Sequence, residues 1–336
     1  MANNLEKILE NTEQNKQELK FYLEHILSGD ASDEEIKMTL IQLNKHGIEY
    51  HLLSALVDVM NSLVEDIDFN THNFVDTCGT GGSGLQIFNC STISSFVVAS
   101  CGGKVVKHGN KSITSKSGSA DFLVRVGVNI ENSFENSISA FNQFGITFLF
   151  APKFHTQLKY VAQQRKELGV KTVFNVVGPL VNPGNPDYQI IGTSDSTINL
   201  DIAKVLKNKN LKKALIVSSK DGIDELSVTS NSDVYELKNG EINSYEINPL
   251  DYGLSIYDLS EIQVNSLEEA HLYGLEVLNG KRGAGHDMVA LNAGAALYAS
   301  DYVETIAEGI ELASRELHSG RPLLLLNKYA KFTSEL

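Results

Sequence analysis

The sequence of 336 residues contains no tryptophan, only six prolines and only three cysteines. The cysteines, Cys78, Cys90 and Cys101, lie in one short stretch without C-x-x-C spacing, which argues against a zinc site and against a disulfide framework. Hydrophobic residues make up 42% and charged residues 21% of the chain, a composition unlike that of disordered or fibrous proteins. We therefore expect a globular protein in which the cysteines are small buried residues.

The sequence also lacks long apolar runs and a surplus of positive charge. No apolar run approaches the roughly 18 residues of a membrane span, and the N-terminal segment is polar where a signal peptide would be apolar. The 28 basic and 42 acidic residues give a formal net charge of −14, which disfavours binding to nucleic acid or to anionic membranes. We expect a cytoplasmic protein with no nucleic-acid or membrane partner, in which an anionic ligand requires a dedicated pocket.

The hydrophobic pattern changes near residue 70. Up to about residue 66, apolar residues recur at helical spacing, Gly29 is placed to end one helix, and Ser32-Asp33-Glu34-Glu35 forms a capping box for the next. After residue 73, short β-branched runs ending in glycine-rich loops alternate with helices, a pattern typical of α/β domains. We predict a small helical domain at residues 1–70, joined by helices near 156–180, and a larger α/β domain at residues 71–336.

The α/β domain is predicted to contain a central, mainly parallel sheet flanked by helices. The predicted strands lie at residues 74–76, 104–106, 146–150, 188–191 and 214–217, followed by a hairpin of residues 234–237 and 242–247. The hairpin turn is Asn239-Gly240, a strong turn signal. The alanine-rich run 290–299 is predicted to be a helix packed closely against the sheet.

A glycine-rich loop follows the first predicted strand. Gly79, Gly81 and Gly84 fit the G-x-G-x-x-G pattern of dinucleotide-binding folds. Those folds also place an acidic residue about 20 positions further on for the ribose hydroxyls. No Asp or Glu occurs between Gly84 and Asp121, so a nicotinamide-dependent oxidoreductase is the weakest of the alternatives.

Lysines, amides and hydroxyls occupy this acid-free stretch instead, which suits phosphate. Glycine N–H groups and a helix beginning near Ser91-Thr92 would face an anion, and the serine-rich loop 112–119 is a second predicted anion cradle before a helix near Ala120. The basic and amide side chains expected to gather here are Lys104, Lys107, His108, Asn110, Lys111 and Lys116. The segment predicts a phosphate-binding pocket.

A pair of carboxylates follows another predicted strand. Asp221-Gly222-Ile223-Asp224-Glu225 comes after residues 214–217, at the end of a strand where open α/β sheets bind ligands. Adjacent carboxylates suit Mg²⁺, which prefers oxygen and bridges proteins to phosphates, although such a pair alone is usually a solvated turn. Arg165 lies in a predicted helix near residues 158–168, where a surface role is the simplest interpretation. His155 and His286 show no metal-ligand spacing.

Together these motifs resemble the anthranilate phosphoribosyltransferase family, which is related in fold to the pyrimidine nucleoside phosphorylases. The resemblance covers nearly the whole chain, including the helical N-terminus. Its motifs are Gly79-Thr80-Gly81-Gly82, residues 89–92, Lys107-His108-Gly109-Asn110, residues 115–121, Arg165 with Glu167-Leu168-Gly169, Phe174-Asn175, Gly178-Pro179-Leu180 and residues 221–227.

The resemblance implies transfer of the phosphoribosyl group from phosphoribosyl pyrophosphate (PRPP) to the amine of anthranilate in tryptophan biosynthesis, giving N-(5-phosphoribosyl)anthranilate and pyrophosphate. It also implies Mg²⁺ and a homodimer, for which exposed Leu and Ile faces of the helical unit would be the interface. No residue is expected to be catalytic by itself, because an aniline-type amine is unprotonated at neutral pH and positioning and electrostatics then dominate.

The resemblance assigns residues to three groups of contacts. Ser91, Asp224 and Glu225 would bind the metal, and Gly79, Asn110 and Arg165 would contact anthranilate. The PRPP-binding residues would be Gly79, Gly82, Ser83, Ile87, Asn89, Cys90, Ser91, Thr92, Lys107, His108, Gly109, Asn110, Lys111, Ser112, Ser115 and Ser119.

The chain departs from the family pattern at the expected pocket. Ser83 and Ile87 stand where Asp and Thr are usual, which removes a carboxylate and a hydroxyl and predicts altered affinity for PRPP or metal. Lys111 replaces Arg, and Thr-Gln-Leu at residues 156–158 replaces Pro-Ala-Met at the entrance for the aromatic substrate. Two alternatives therefore stay open: a transferase for another aromatic amine or a nucleobase, and a non-catalytic relative that binds nucleic acid.

Overall fold

The computed structural model describes residues 2–111 and 118–336 and begins with a bundle of four helices. They are α1 (Ala2–Leu9), α2 (Lys16–Ser28), α3 (Asp33–His46) and α4 (Tyr50–Ser62). Gly29 ends α2 in a left-handed conformation, with φ of 93°. At the start of α3, the Ser32 N–H donates to Glu35 Oε2 at 2.9 Å and the Glu35 N–H donates to Ser32 Oγ, so the predicted capping box is confirmed.

A seven-stranded sheet forms the centre of the α/β part. Its strands are β1 (Val75–Gly79), β2 (Val105–Gly109), β3 (Ile146–Phe150), β4 (Tyr188–Gly192), β5 (Lys213–Ser219), β6 (Ser232–Lys238) and β7 (Glu241–Ile247). The order is β3-β2-β1-β4-β5-β6-β7; the first five strands are parallel, and β6 and β7 are antiparallel. Asn239 and Gly240, with φ of 54° and 76°, form the hairpin turn. The predicted fold class is confirmed.

The remaining helices connect and cover these strands. They are α5 (Cys90–Ser100), α6 (Ser119–Arg125), α7 (Phe134–Phe144), α8 (Ala151–Phe154), α9 (Lys159–Leu168), α10 (Val173–Val176), α11 (Asn199–Asn208), α12 (Leu267–Leu278), α13 (Ala284–Ala299), α14 (Ile306–His318) and α15 (Arg321–Ser334). A 3₁₀ turn at Gly178–Val181 follows α10. Among the described residues, no helix combines the length and the apolar character that crossing a membrane requires.

The alanine-rich helix α13 is packed at very close range, as predicted, but its closest packing is against α14 rather than against the sheet. A Cβ atom on Gly294 would lie 2.4 Å from the backbone nitrogen of Ile310, and one on Gly309 would lie 2.3 Å from the Gly294 carbonyl oxygen. Helices α13 and α14 therefore meet backbone to backbone, a distance that only glycine allows at these two positions. The contact leaves α13 almost fully buried between α14 and α5.

The N-terminal helices pack on the segment between α9 and the turn at Gly178–Val181. Leu23 and Leu53 share one apolar core with Val161 of α9 and Val177, and this core continues to Ile216 of β5. The core of the helical region is thus continuous with one face of the sheet, and its helices contact the segment 156–180 that the sequence assigns to it. We propose on this basis that residues 1–70 and the 156–180 segment form a helical domain.

Candidate active site

A pocket of about 310 Å³ opens at the carboxyl ends of the parallel strands, where α/β sheets bind ligands. The glycine loop after β1, the start of α5, the end of β2, the segment 151–181 and the loop after β5 line it. The sequence-predicted site residues found in its lining are Gly79, Gly82, Ser83, Ile87, Asn89, Cys90, Ser91, Thr92, Lys107, His108, Gly109, Asn110, Lys111, Ser119, Arg165, Asp224 and Glu225. Ser112, Ser115 and Lys116 lie outside the described residues.

The glycine loop wraps closely around Asp224. Gly81, Gly82 and Gly84 have φ of 69°, 79° and 74°, a backbone conformation that side chains disfavour. The Gly81 N–H donates to Asp224 Oδ2 at 2.8 Å, and a Cβ atom on Gly79 would lie 2.5 Å from the same oxygen. The predicted phosphate loop and the predicted metal carboxylate are therefore in direct contact.

Glu225 joins the carboxylate pair to the N-terminus of α5. Its Oε1 accepts a hydrogen bond from the Ser91 N–H at 3.0 Å. Burial raises the pKa of Asp224, and burial together with the charge of Asp224 raises the pKa of Glu225 to about 8. Lys107 and Lys171 oppose these shifts only in part. Two carboxylates held side by side in this way create a site that favours a cation.

Lys107 supplies positive charge beneath the start of α5. Its side chain is only 3% exposed, and Nζ donates to the Thr77 carbonyl and to Ser91 Oγ. Lys107 also limits the effect of burial on Asp76, whose pKa is raised to about 6. The lysine is thus held in place by backbone and hydroxyl oxygens close to both Glu225 and the pocket.

The structure corrects the expected position of Lys104. Its Nζ donates to Thr71 Oγ1 at 3.4 Å on the exposed surface, away from the pocket lining. The physical reason is that Lys104 lies before β2, which begins at Val105 and first lines the pocket at Lys107, about 10 Å beyond Lys104 at about 3.3 Å per residue. Membership of the same acid-free stretch therefore did not place Lys104 at the site.

Arg165 faces the pocket from the last turn of α9. Its guanidinium carbon lies 5.6 Å from the centre of the Phe174 ring, and Nη2 donates to Asn175 Oδ1 at 3.4 Å. Burial lowers the pKa of Arg165 from its usual value of 12.5. The guanidinium is therefore a partly buried cation on an aromatic support, which corrects the simple surface interpretation of this residue.

Sequence reasoning missed Gly192 at the end of β4. A Cβ atom there would lie 1.7 Å from the Asp224 carbonyl oxygen. The loop that carries Asp224 and Glu225 can therefore approach β4 this closely only because residue 192 is glycine. Gly192 pairs in register with Gly79 of β1. The sequence feature that could have identified Gly192 as a site residue is its position at the pocket end of a predicted strand.

Replacing Gly192 by Ala is expected to lower the midpoint of thermal unfolding (Tm) markedly, because overpacking against backbone costs about 1–3 kcal/mol or more. Gly178→Ala is the matched control, since its Cβ atom would have no neighbour within 4 Å. Calorimetry of both variants checks this. Equal Tm values would show that the loop can move away from β4.

The comparisons with known proteins agree with this geometry. Residues 71–323 match the family model described as "Glycosyl transferase family, a/b domain". The anthranilate phosphoribosyltransferase of Vesicomyosocius okutanii is 40% identical over 317 residues, with 94% of each chain covered. The chain belongs to this family. The predicted family and its class, a glycosyltransferase, are confirmed.

Two solved structures support the same family at the level of the fold. The anthranilate phosphoribosyltransferase of Thermus thermophilus has a TM-score of 0.89 at 31% identity, covering 97% of this chain and 98% of its own. The Saccharomyces cerevisiae enzyme, solved in complex with PRPP and Mg, has a TM-score of 0.88 at 26% identity, covering 100% and 98%. The match extends over the helical and the α/β parts together.

Proposed function

We propose that the chain transfers the phosphoribosyl group of PRPP to the amine of anthranilate, releasing pyrophosphate, in tryptophan biosynthesis. The observation that carries the proposal is the contact of two carboxylates with a phosphate-type cradle. Asp224 accepts from the N–H of Gly81 in the glycine loop, and Glu225 accepts from the N–H of Ser91 in α5. A bound cation at the carboxylates would therefore adjoin the N–H groups that suit phosphate oxygens.

PRPP would occupy the side of the pocket formed by the glycine loop, the start of α5 and the end of β2. The N-terminus of α5 offers the positive end of the helix dipole, and its Cys90 and Ser91 N–H groups donate to Phe88 and Glu225. Lys107 is fixed near Ser91, and Lys111 lies over the Phe150 ring at 5.9 Å from its centre. We assign Ser112 and Ser115 to the same ligand on the family resemblance alone.

The donor set fits Mg²⁺ as the cation. Ser91, Asp224 and Glu225 would hold it through oxygen, and the two carboxylates have pKa values raised by burial. Within residues 2–111 and 118–336, no group of three or more acidic, His or Cys side chains could hold a metal, so phosphate oxygens and water would complete the coordination. When bound, the ion would neutralise the charge that develops on the pyrophosphate leaving group.

Anthranilate would occupy the side of the pocket near α9. The Arg165 guanidinium would bind its carboxylate as a planar fork, and Gly79 and Asn110 would border its ring. Phe174 and Pro179 add apolar lining on this side. Because the amine is already unprotonated, the protein's contribution is to place it against the ribose and to stabilise the separating charges.

Incubation of the purified protein with PRPP, Mg²⁺ and anthranilate tests the proposal through the loss of anthranilate fluorescence. A sample with excess chelator is the control and should show no loss. Absence of turnover at millimolar anthranilate would refute the proposal. Preferred use of a nucleobase or another aromatic amine in competition would instead support the alternative acceptor, which Ser83, Ile87 and residues 156–158 suggest.

Ser83→Asp is expected to lower the KM for PRPP about tenfold at limiting Mg²⁺, because the new carboxylate adds an oxygen ligand beside the glycine loop. In the present chain, Ser83 Oγ donates to the Leu85 carbonyl at 3.4 Å. Initial rates over a grid of PRPP and Mg²⁺ concentrations measure the effect. Ser83→Asn is the uncharged control, and an identical response of both variants would show that charge at this position is unimportant.

We further propose that the protein is a cytoplasmic homodimer. A groove on α1 and α2 supports an apolar contact, since Phe21 is 66% exposed there beside Tyr22 and the buried Ile8. Light scattering coupled to gel filtration would test the dimer, and Phe21→Glu is expected to shift the mass towards the monomer.

A further inference from the structure

The turn at Gly178–Val181 forms one wall of the pocket, and each of its four carbonyl oxygens accepts a hydrogen bond from a side chain. The donors belong to β2, to β4, to the end of α11 and to the segment after α8. The bonds run from His108 Nδ1 to Gly178 at 3.1 Å, from Gln189 Nε2 to Pro179 at 2.8 Å, from Lys209 Nζ to Leu180 at 2.7 Å and from His155 Nε2 to Val181 at 2.8 Å.

We propose that these four donors, named here the carbonyl clamp, position the turn as the wall against which the acceptor binds. In this arrangement His108 and His155 serve the reaction as N–H donors to backbone carbonyls. The assignment of the wall to the acceptor rests on the proposed function, because Arg165 and Phe174 line the same side of the pocket.

The turn needs such donors because of its own backbone. The 3₁₀ turn ends at Val181 and is followed by extended backbone at Asn182, so the last carbonyls of the turn have no helical partner further along the chain. Pro179, Leu180 and Val181 are buried, and a buried carbonyl without a hydrogen bond is unfavourable. Donors from four separate elements therefore fix the turn in one position relative to the sheet.

The carbonyl partners also define the protonation of both imidazoles. A carbonyl oxygen can only accept, so the proton must lie on Nδ1 of His108 and on Nε2 of His155. The other two ring nitrogens have no hydrogen-bond partner in the described part of the chain. The rings meet edge to face with centroids 5.2 Å apart.

The surroundings keep both rings uncharged. Burial lowers the pKa of His108 to about 3, with further lowering by His155, Lys107 and Lys209. Burial and Lys209 lower the pKa of His155 to about 4. His108 therefore lines the predicted PRPP site without offering a positive charge to phosphate at neutral pH, and its contact with Gly178 gives it a positioning role.

Lys209 and Gln189 extend the carbonyl clamp beyond the pocket. Lys209 caps α11, and burial lowers its pKa to about 8 although Asp66 and Asp58 favour the charged form. Gln189 is 2% exposed in β4, the strand between β1 and β5. Neither residue lines the pocket, so their replacement acts on a ligand only through the turn.

The ring protonation can be tested without any substrate. In protein labelled with ¹⁵N at histidine, long-range proton–nitrogen correlation spectra at pH 7 should show His108 with its proton on Nδ1 and His155 with its proton on Nε2. Both rings should stay uncharged down to about pH 5. His108→Asn and His155→Gln identify the signals. A charged ring at pH 7, or the opposite tautomer of His108, would overturn the proposal.

The positioning role can be tested by kinetics of Gln189→Met and Lys209→Met. Each is expected to raise the KM for anthranilate about tenfold, the effect of one lost buried hydrogen bond, with the KM for PRPP changed less than about twofold. Lys207→Met, on the exposed side of α11, is the matched control and should alter neither. His155→Gln, whose amide reaches as far as Nε2, should retain more affinity for anthranilate than His155→Leu.

The outcomes separate this proposal from the proposed function. Equal changes in both KM values, or a lower Tm with unchanged KM values, would refute the positioning role while wild-type turnover upheld the function. If the wild type does not use anthranilate but His108 and His155 show the expected tautomers, the proposed acceptor is wrong and the carbonyl clamp is supported. The KM comparison is then made with the acceptor that the wild type uses.

Discussion

The double variant Asp224→Asn, Glu225→Gln is expected to transfer phosphoribosyl groups at least about a thousandfold more slowly than the wild type, and yet to unfold at a higher temperature. Loss of the two carboxylates removes the groups that would hold Mg²⁺ against the glycine loop, and charge stabilisation of this kind supplies several kcal/mol in metal-assisted reactions. Initial rates across a Mg²⁺ titration measure the first effect, and calorimetry without ligand measures the second.

The higher Tm follows from the raised pKa of Glu225. Its carboxyl has a pKa of about 8 in the folded chain against a reference value of 4.5, so the folded state retains the proton more strongly. The stabilising contribution of this proton is complete below the reference pKa and is lost as pH rises through about 8. The double variant has no such loss, and its advantage in Tm should therefore be small at pH 5 and largest near pH 8.

A matched control removes two acidic charges elsewhere. Asp233→Asn, Glu246→Gln alters carboxylates on β6 and β7 that pair with Lys220, away from the pocket. This control should retain wild-type Mg²⁺ dependence and should not gain stability with rising pH. Unchanged Mg²⁺ dependence in the Asp224, Glu225 variant would remove the pair from the metal site.

Short stretches of the sequence are enough to predict the helices and strands of this fold, but they do not predict which side chains come into contact. Residues 146–150 and the Asn239-Gly240 hairpin could be located because alternation, β-branching and turn chemistry act over a few residues. The phosphate-loop glycines and the Asp224, Glu225 pair stand out for the same reason. Their contact joins positions 143 residues apart, which only the β1–β4–β5 order brings together.

The contacts of the carbonyl clamp could not be predicted from short stretches of the sequence. Lys209 and Leu180 are 29 residues apart, and His108 and Gly178 are 70 residues apart, without any periodicity that links them. His155 carried no ligand spacing and so gave no functional signal. For Lys104 the error was the reverse. Its neighbours in the sequence predicted a position in the pocket, but Lys104 precedes β2 and lies on the exposed surface.

Arg165→Ala is expected to raise the KM for anthranilate about 10- to 150-fold and the KM for PRPP less than about threefold, because a hydrogen bond to a charged group contributes about 1.5–3 kcal/mol. The guanidinium is held over Phe174 and beside Asn175, and the proposed function assigns this part of the pocket to the acceptor and the glycine loop and α5 to PRPP. Steady-state kinetics with each substrate varied in turn measures the split.

Arg165→Lys distinguishes charge from shape at this position. An ammonium keeps the charge but loses the planar fork and the stacking on Phe174, so this variant should lie between the wild type and Arg165→Ala. Lys166→Ala, which removes an exposed cation one position further along α9, should leave both KM values unchanged. Equal effects of Arg165→Ala on both substrates would place the guanidinium at the pyrophosphate, and the carboxylate of the acceptor would then need another partner.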